Sequence, residues 1–321
     1  MIWMWIGFVL FILAMLAIDL GVFHRRAHAV SLKESLVWSS VWITMAMLFA
    51  LFIFFLFEYR LFGISPPEGI KGRHAAVLFV TGYIIEESLS VDNLFVIALI
   101  MAFFRVPADC QHRVLFWGIL GAMVMRAIMI LLGAALVHTF AWVLYIFGAF
   151  LVFTAIKMFF ADSDPDPSKN FLVRQVRRVL PVSDEFDGLR FVTRSSGRRA
   201  LTPLALALLA VESADVIFAV DSIPAIFAIT DIPFLVFTSN IFAILGLRSM
   251  YFALAGIMRK FRYLKVSLSV LLAVIGAKML LKDLLEDVPG MTYWTLGLVV
   301  VILSAGVVAS VAAEKAGQEK R

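Results

Sequence analysis

Nine stretches of this chain are apolar over about 20 residues or more, and that repetition constrains the fold more than any other feature. Wound as an α-helix, such a stretch matches the ~30 Å hydrocarbon layer of a bilayer. The stretches lie roughly at 2–22, 36–57, 75–104, 114–137, 140–160, 201–230, 234–257, 264–283 and 293–313. In all, 62% of the 321 residues are hydrophobic, against about 45–50% in soluble domains. A backbone in lipid must satisfy its own hydrogen bonds, which leaves helices as the solution for runs of this length. The expected fold class is all-α, a polytopic transmembrane helical bundle of about nine spans. The first stretch, Ile2–Leu20, has neither a basic leader nor a small-residue cleavage site, so it is expected to stay as a span.

Charge sets the orientation. With the N-terminus outside and the C-terminus cytoplasmic, 20 of the 28 Lys and Arg residues fall on the cytoplasmic side and 4 on the other. That is the positive-inside bias of a multi-pass protein of the cell inner membrane. The formal net charge of +5 is therefore an orientation signal and not a nucleic-acid footprint. One cysteine, Cys110, excludes intrachain disulfides, thiolate metal sites and CxxC redox chemistry. No nucleophile–base pair, phosphate loop or haem ligand pattern is present, so an enzyme is not expected, nor is a permanently bound cofactor.

The remaining four basic residues, Arg126, Lys157, Arg248 and Lys278, lie inside spans and expose an internal repeat. Arg126 in GAMVMRAIMILLG matches Arg248 in AILGLRSMYFALAG, and Lys157 in AIKMFF matches Lys278 in GAKMLL. Upstream of each arginine runs an acidic segment, with Glu87, Asp92 and Asn93 in one half and Glu212, Asp215, Asp221 and Ser222 in the other. Each unit reads as an acidic helix, an arginine helix and a lysine helix. Three spans per unit place the two units in opposite orientations, the inverted repeats that suit alternating access around a midplane site. The expected organisation is two peripheral N-terminal spans over 1–74, a first repeat over 75–160, a cytoplasmic loop over 161–200, a second repeat over 201–283, and a last span with a tail over 284–321. The loop opens with Asp162, Asp164 and Asp166. It lacks the glycine and the closing glutamate of a calcium loop, so it reads as a solvated linker.

An ionised carboxylate in hydrocarbon costs about 2.5–3.5 kcal/mol on insertion scales, and more by other measures. Two spans here carry six acids: Glu86, Glu87, Asp92, Glu212, Asp215 and Asp221. Arg126, Arg248, Lys157 and Lys278 are the available counter-ions, and six acids against four bases leave an excess that needs protons or cations. The arginines read as structural counter-ions that could also occupy the site once a metal leaves. Of the adjacent pair, Glu87 fills the better motif position, and Glu86 reads equally well as a structural acid. Carboxylates with Asn93, Ser90, Ser222 and backbone carbonyls are hard oxygen donors, suited to Mn²⁺, Ca²⁺ or Mg²⁺. No histidine lies near the acidic motifs. On a continuous helix at ~100° per residue, Asp221 points away from Glu212. Convergence on one ion therefore predicts that the helices unwind, with Pro224 freeing a carbonyl beside Asp221.

Three strings carry a family resemblance: Gly82-Tyr-Ile-Ile-Glu-Glu-Ser-Leu-Ser-Val-Asp-Asn93, Val211-Glu-Ser-Ala-Asp-Val-Ile-Phe-Ala-Val-Asp-Ser-Ile-Pro-Ala225 and Thr238-Ser-Asn-Ile-Phe-Ala-Ile-Leu-Gly-Leu-Arg-Ser-Met-Tyr251. The chain resembles the TerC family of integral membrane proteins, its Alx-like members in particular, over nearly its whole length. The resemblance implies manganese efflux and homeostasis, or supply of metal to exported proteins. It also carries the labels of tellurium resistance and redox modulation. By motif it implies that Glu87, Asp92, Asn93, Glu212, Asp215, Asp221 and Ser222 handle the metal. The leading expectation is Mn²⁺ export in exchange for protons, since clustered carboxylates that lose a divalent ion take up protons. Expected partners are the lipid bilayer, Mn²⁺ or another hard divalent cation such as Ca²⁺, and protons. The alternative is delivery of metal to a protein partner in the membrane. Tellurite handling ranks last, because an acidic centre repels oxyanions.

Overall fold

The computed structural model describes residues 2–18, 32–63, 70–160, 171–183, 185–195, 198–254, 263–285 and 288–318. Its helices are α1 (Ile2–Ile18), α2 (Leu32–Glu58), α3 (Gly72–Phe103), α4 (Ala108–Thr139), α5 (Val143–Phe160), α6 (Phe171–Val179), α7 (Pro203–Phe227), α8 (Pro233–Leu254), α9 (Leu264–Leu280), α10 (Lys282–Leu285) and α11 (Met291–Gln318). The only sheet among the described residues is an antiparallel hairpin of β1 (Val192–Ser195) and β2 (Arg198–Leu201). Among the described residues, six helices are long and apolar enough to cross a membrane: α2, α4, α5, α7, α8 and α11. Helix α3 matches them in length at 32 residues, but it carries Arg73, Glu86, Glu87 and Asp92. The expected spans reappear as α1–α5, α7–α9 and α11, with ends shifted by a few residues. The protein is a helical membrane bundle, as its sequence predicts.

Local chemistry explains where the helices that bear the acids begin. Glu58, at the end of α2, accepts a hydrogen bond from the Gly72 amide at 2.9 Å and so caps α3, whose preceding residue Lys71 makes no side-chain cap. A carboxylate at that end also meets the positive pole of the helix. Gly72 is needed there because a Cβ would collide with the Phe54 carbonyl. Thr202 caps α7, accepting from the Ala205 amide, and Pro203 takes the first helical position, where its missing N–H costs nothing.

Both acidic helices are continuous, which corrects the expectation of unwound segments. Pro224 lies in the last turn of α7. A single lost donor there leaves the rest of the ladder intact, and unwinding in lipid would strand further backbone groups.

The helices pack reciprocally: α3 lies against α8, α7 against α4, and α5 against α9. The α5–α9 pair is close enough that a Cβ at Gly276 would sit 2.8 Å from the Gly148 carbonyl oxygen, the small-residue contact of membrane helices. At the other side, α1 and α2 are fastened by rings. Trp5 meets Phe234 at 5.3 Å, and Phe49 meets Phe242 at 4.8 Å. Of the 161–200 loop, α6 and the hairpin are described, and Asp162, Asp164 and Asp166 lie outside the described residues. The Cys110 thiol donates to the Gly188 carbonyl at 3.7 Å, and Arg113 stacks over Phe191 at 5.2 Å, so this segment is tied to the start of α4.

Candidate functional site

The centre of the bundle holds one arginine surrounded by oxygens. Arg126, on α4, is fully buried. Its Nη1 pairs with Glu86 Oε1 of α3, an ion pair in which neither side chain is exposed. Its Nη2 donates to Asp215 Oδ1 at 3.1 Å and its Nε to Asp215 Oδ2 at 3.5 Å, so α7 supplies a two-pronged partner. Nη1 also lies 3.4 Å from Ser222 Oγ and 3.3 Å from Asn240 Oδ1 of α8. Glu86, Asp215, Ser222 and Asn240 together offer six side-chain oxygens. Arg126 engages five of them, and the sixth, Glu86 Oε2, is buried without a hydrogen-bond partner among the described residues.

Helix geometry explains which residues converge. Asp215 and Ser222 are seven apart on a continuous helix, hence within about 20° of one another. Asp221 is turned by a further ~100°, toward α5, where it accepts from Thr154 Oγ1 at 3.2 Å. On α3, Glu86, Ser90 and Asn93 share a face by the i, i+4, i+7 rule, and all three are buried. Ser90 Oγ, Asn93 Nδ2 and Asn240 Nδ2 have no hydrogen-bond partner among the described residues. Buried polar groups without a protein partner are uncommon and are ordinarily met by an ordered water or an ion.

The other residues named from the sequence lie elsewhere. Glu87 nests beside Gly246 of α8, where a Cβ would come within 3.4 Å of its Oε1. Its Oε2 lacks a hydrogen-bond partner among the described residues. Glu212 lies against Gly121 of α4 so closely that a Cβ there would strike its carboxyl group. Each acidic helix thus presses a glutamate onto a glycine of the facing arginine helix. Asp92 is half-buried and is not among the partners of Arg126. Arg248 Nη2 meets His112 Nδ1 at 3.2 Å. Lys157 is exposed, and Lys278 Nζ donates to the Ala228 carbonyl at 3.2 Å, at the end of α7. Among the described residues, no group of three or more His, Cys, Asp or Glu side chains is arranged to hold a metal ion. The central oxygens come from two carboxylates, a hydroxyl and an amide, with a guanidinium among them.

Of the adjacent glutamates it is Glu86 that reaches Arg126, and Asn240 joins it from α8, a residue that the acidic motifs do not include. The available signal for Asn240 was a polar Thr-Ser-Asn run inside an otherwise apolar span.

Continuous apolar helices around a buried ionic hub define a multi-pass helical membrane protein with a charged interior. The family described as "Integral membrane protein TerC family" matches residues 71–318, and the chain belongs to it. It is 48% identical over 308 residues to an uncharacterized membrane protein of Myxococcus xanthus, covering 96% of this chain and 91% of that one. It is 49% identical over 283 residues to a protein of Escherichia coli K12 named Alx, covering 87% and 86%; that name proposes a membrane-bound redox modulator. An uncharacterized membrane protein of Rickettsia felis is 37% identical over 308 residues, covering 96% and 97%. No solved structure matches the chain significantly. The resemblance read from the three motif strings is thereby borne out.

Proposed function

We propose that the protein is a transporter that exports divalent manganese across the cell inner membrane in exchange for protons, with its N-terminus outside and its C-terminus cytoplasmic. The observation that carries this reading is the six-oxygen hub of Glu86, Asp215, Ser222 and Asn240 in the bundle core. Hard oxygen donors in that number suit a cation such as Mn²⁺. Two carboxylates and no imidazole or thiolate select against softer ions. The donors come from α3, α7 and α8, helices of both halves of the chain, and a site shared in this way can be opened to either side when the halves move. Glu87 and Asp92 on α3 and Glu212 and Asp221 on α7 serve as stations for ions or protons on the way to and from the hub. Loss of a divalent ion leaves charges that lipid depth does not tolerate, and protons restore the balance.

The test is Mn²⁺ flux in proteoliposomes under an imposed pH gradient. Wild type should move Mn²⁺, and Glu86→Gln and Asp215→Asn, close in shape to the native residues, should abolish the flux. Absence of flux in wild type, or undiminished flux in both variants, overturns the proposal.

A further inference from the structure

We propose that Arg126 is a tethered stand-in for the transported cation: its guanidinium fills the ion position between turnovers, and the arriving ion must displace it. The inference rests on the transport reading above and concerns the regulation of the same site.

Three features distinguish this arrangement from a plain structural bridge. The first is where the groups come from. All the oxygens around the guanidinium belong to α3, α7 and α8, whereas Arg126 comes from α4. Its side chain can withdraw without taking a single ligand with it. The second is the charge balance. Glu86 and Asp215 bring two negative charges, and Arg126 supplies one positive charge. A divalent ion in its place neutralises both carboxylates. The third is incomplete satisfaction. Nη1 carries two hydrogens yet faces three acceptors, on Glu86, Ser222 and Asn240. Glu86 Oε2 is left without a hydrogen-bond partner among the described residues. A guanidinium uses this oxygen set partially, and a compact ion of higher charge would use it more fully.

The consequence is competition within one molecule. If the guanidinium fills the site in about nine molecules of ten, the apparent affinity for the ion is about tenfold weaker than the intrinsic one. Such an exporter engages only when its cargo is abundant.

The test measures Mn²⁺ affinity of the purified full-length protein by isothermal titration, for wild type, Arg126→Lys, Arg126→Gln and the double variant Arg126→Gln/Glu86→Gln. Lysine keeps a positive charge but loses the planar five-donor fork, so it competes less well. Affinity should rise in Arg126→Lys and rise further in Arg126→Gln, by about tenfold over wild type. The double variant should lose the gain. Loss of the positive charge in Arg126→Gln favours a cation whatever the arginine's role, so the charge-keeping variant decides. A merely structural arginine predicts equal or weaker affinity in Arg126→Lys, and that result in folded Arg126→Lys overturns the inference whether or not Arg126→Gln folds. Wild type that moves Mn²⁺ alongside an Arg126→Lys variant of unimproved affinity sinks the stand-in role and leaves transport standing. Wild type that neither binds nor moves Mn²⁺ sinks both.

Discussion

Gly276→Ala tests the packing that holds the two halves of the bundle together. A Cβ at this position would lie 2.8 Å from the Gly148 carbonyl oxygen, 2.9 Å from Val152 Cγ2 and 3.0 Å from Leu151 Cβ. Carbon contacts settle at about 3.5–4.0 Å, so α5 and α9 must separate by roughly half an ångström or more. The carbonyl oxygen and the Leu151 Cβ are fixed to the α5 backbone and cannot rotate away. Overpacking of this kind costs about 1–3 kcal/mol. Alanine returns about 0.5–1 kcal/mol through its better helix preference, which leaves a net loss of about 0–2.5 kcal/mol, centred near ~1 kcal/mol. Gly297→Ala is the control, since a Cβ there meets nothing within 4 Å; the same preference should make it neutral or slightly stabilising. The assay is reversible unfolding in mixed micelles by added sodium dodecyl sulfate, followed by helical circular dichroism. Equal stabilities of the two variants would refute the close-contact argument, because intrinsic helix preference cancels between them.

Asp215→Ala removes two of the five contacts of Arg126 but leaves the neutral Glu86–Arg126 pair, so the loss should be about 1.5–3 kcal/mol in the same unfolding assay. Gly121→Ala pushes the Glu212 carboxyl out of its seat. Since only the end of a flexible side chain must move, the unfolding curve should stay near wild type while Mn²⁺ flux in proteoliposomes falls several-fold. Thr202→Ala removes the cap of α7 and should cost about 1 kcal/mol, read from the unfolding midpoint with flux unaffected once the protein is folded.

Much of this architecture is legible in the sequence because lipid leaves few options. Long apolar runs can only be helices, and the nine runs recur as nine helices of 17 to 32 residues among the described residues. The meeting of Asp215 and Ser222 follows from their spacing alone once the helix is known to be continuous. The preference for Glu86 over Glu87 does not. Adjacent residues differ by ~100°, and which one faces the centre depends on how α3 is rotated by its packing against α2 and α8, a tertiary quantity. Asn240 was hidden for a similar reason, since a single amide in an apolar span acquires meaning only when Arg126 reaches it from another helix. Lys278 looked like a partner for an acid, but the end of α7 lies beside it and presents the Ala228 carbonyl instead. Pro224 suggested a break, and its place in the final turn makes it harmless.

The span of the central network along the chain bears on how the protein is made. Glu86 and Arg126 are 40 residues apart, and Arg126 and Asp215 are 89 apart. A ribosome therefore delivers the arginine to the membrane well before its aspartate exists, and the Glu86–Arg126 bridge is the one link of the network that can form early. Until α7 and α8 arrive, that single bond is what shields two charges from the acyl chains. Synthesis halted after α5 would leave them in the bilayer with only each other.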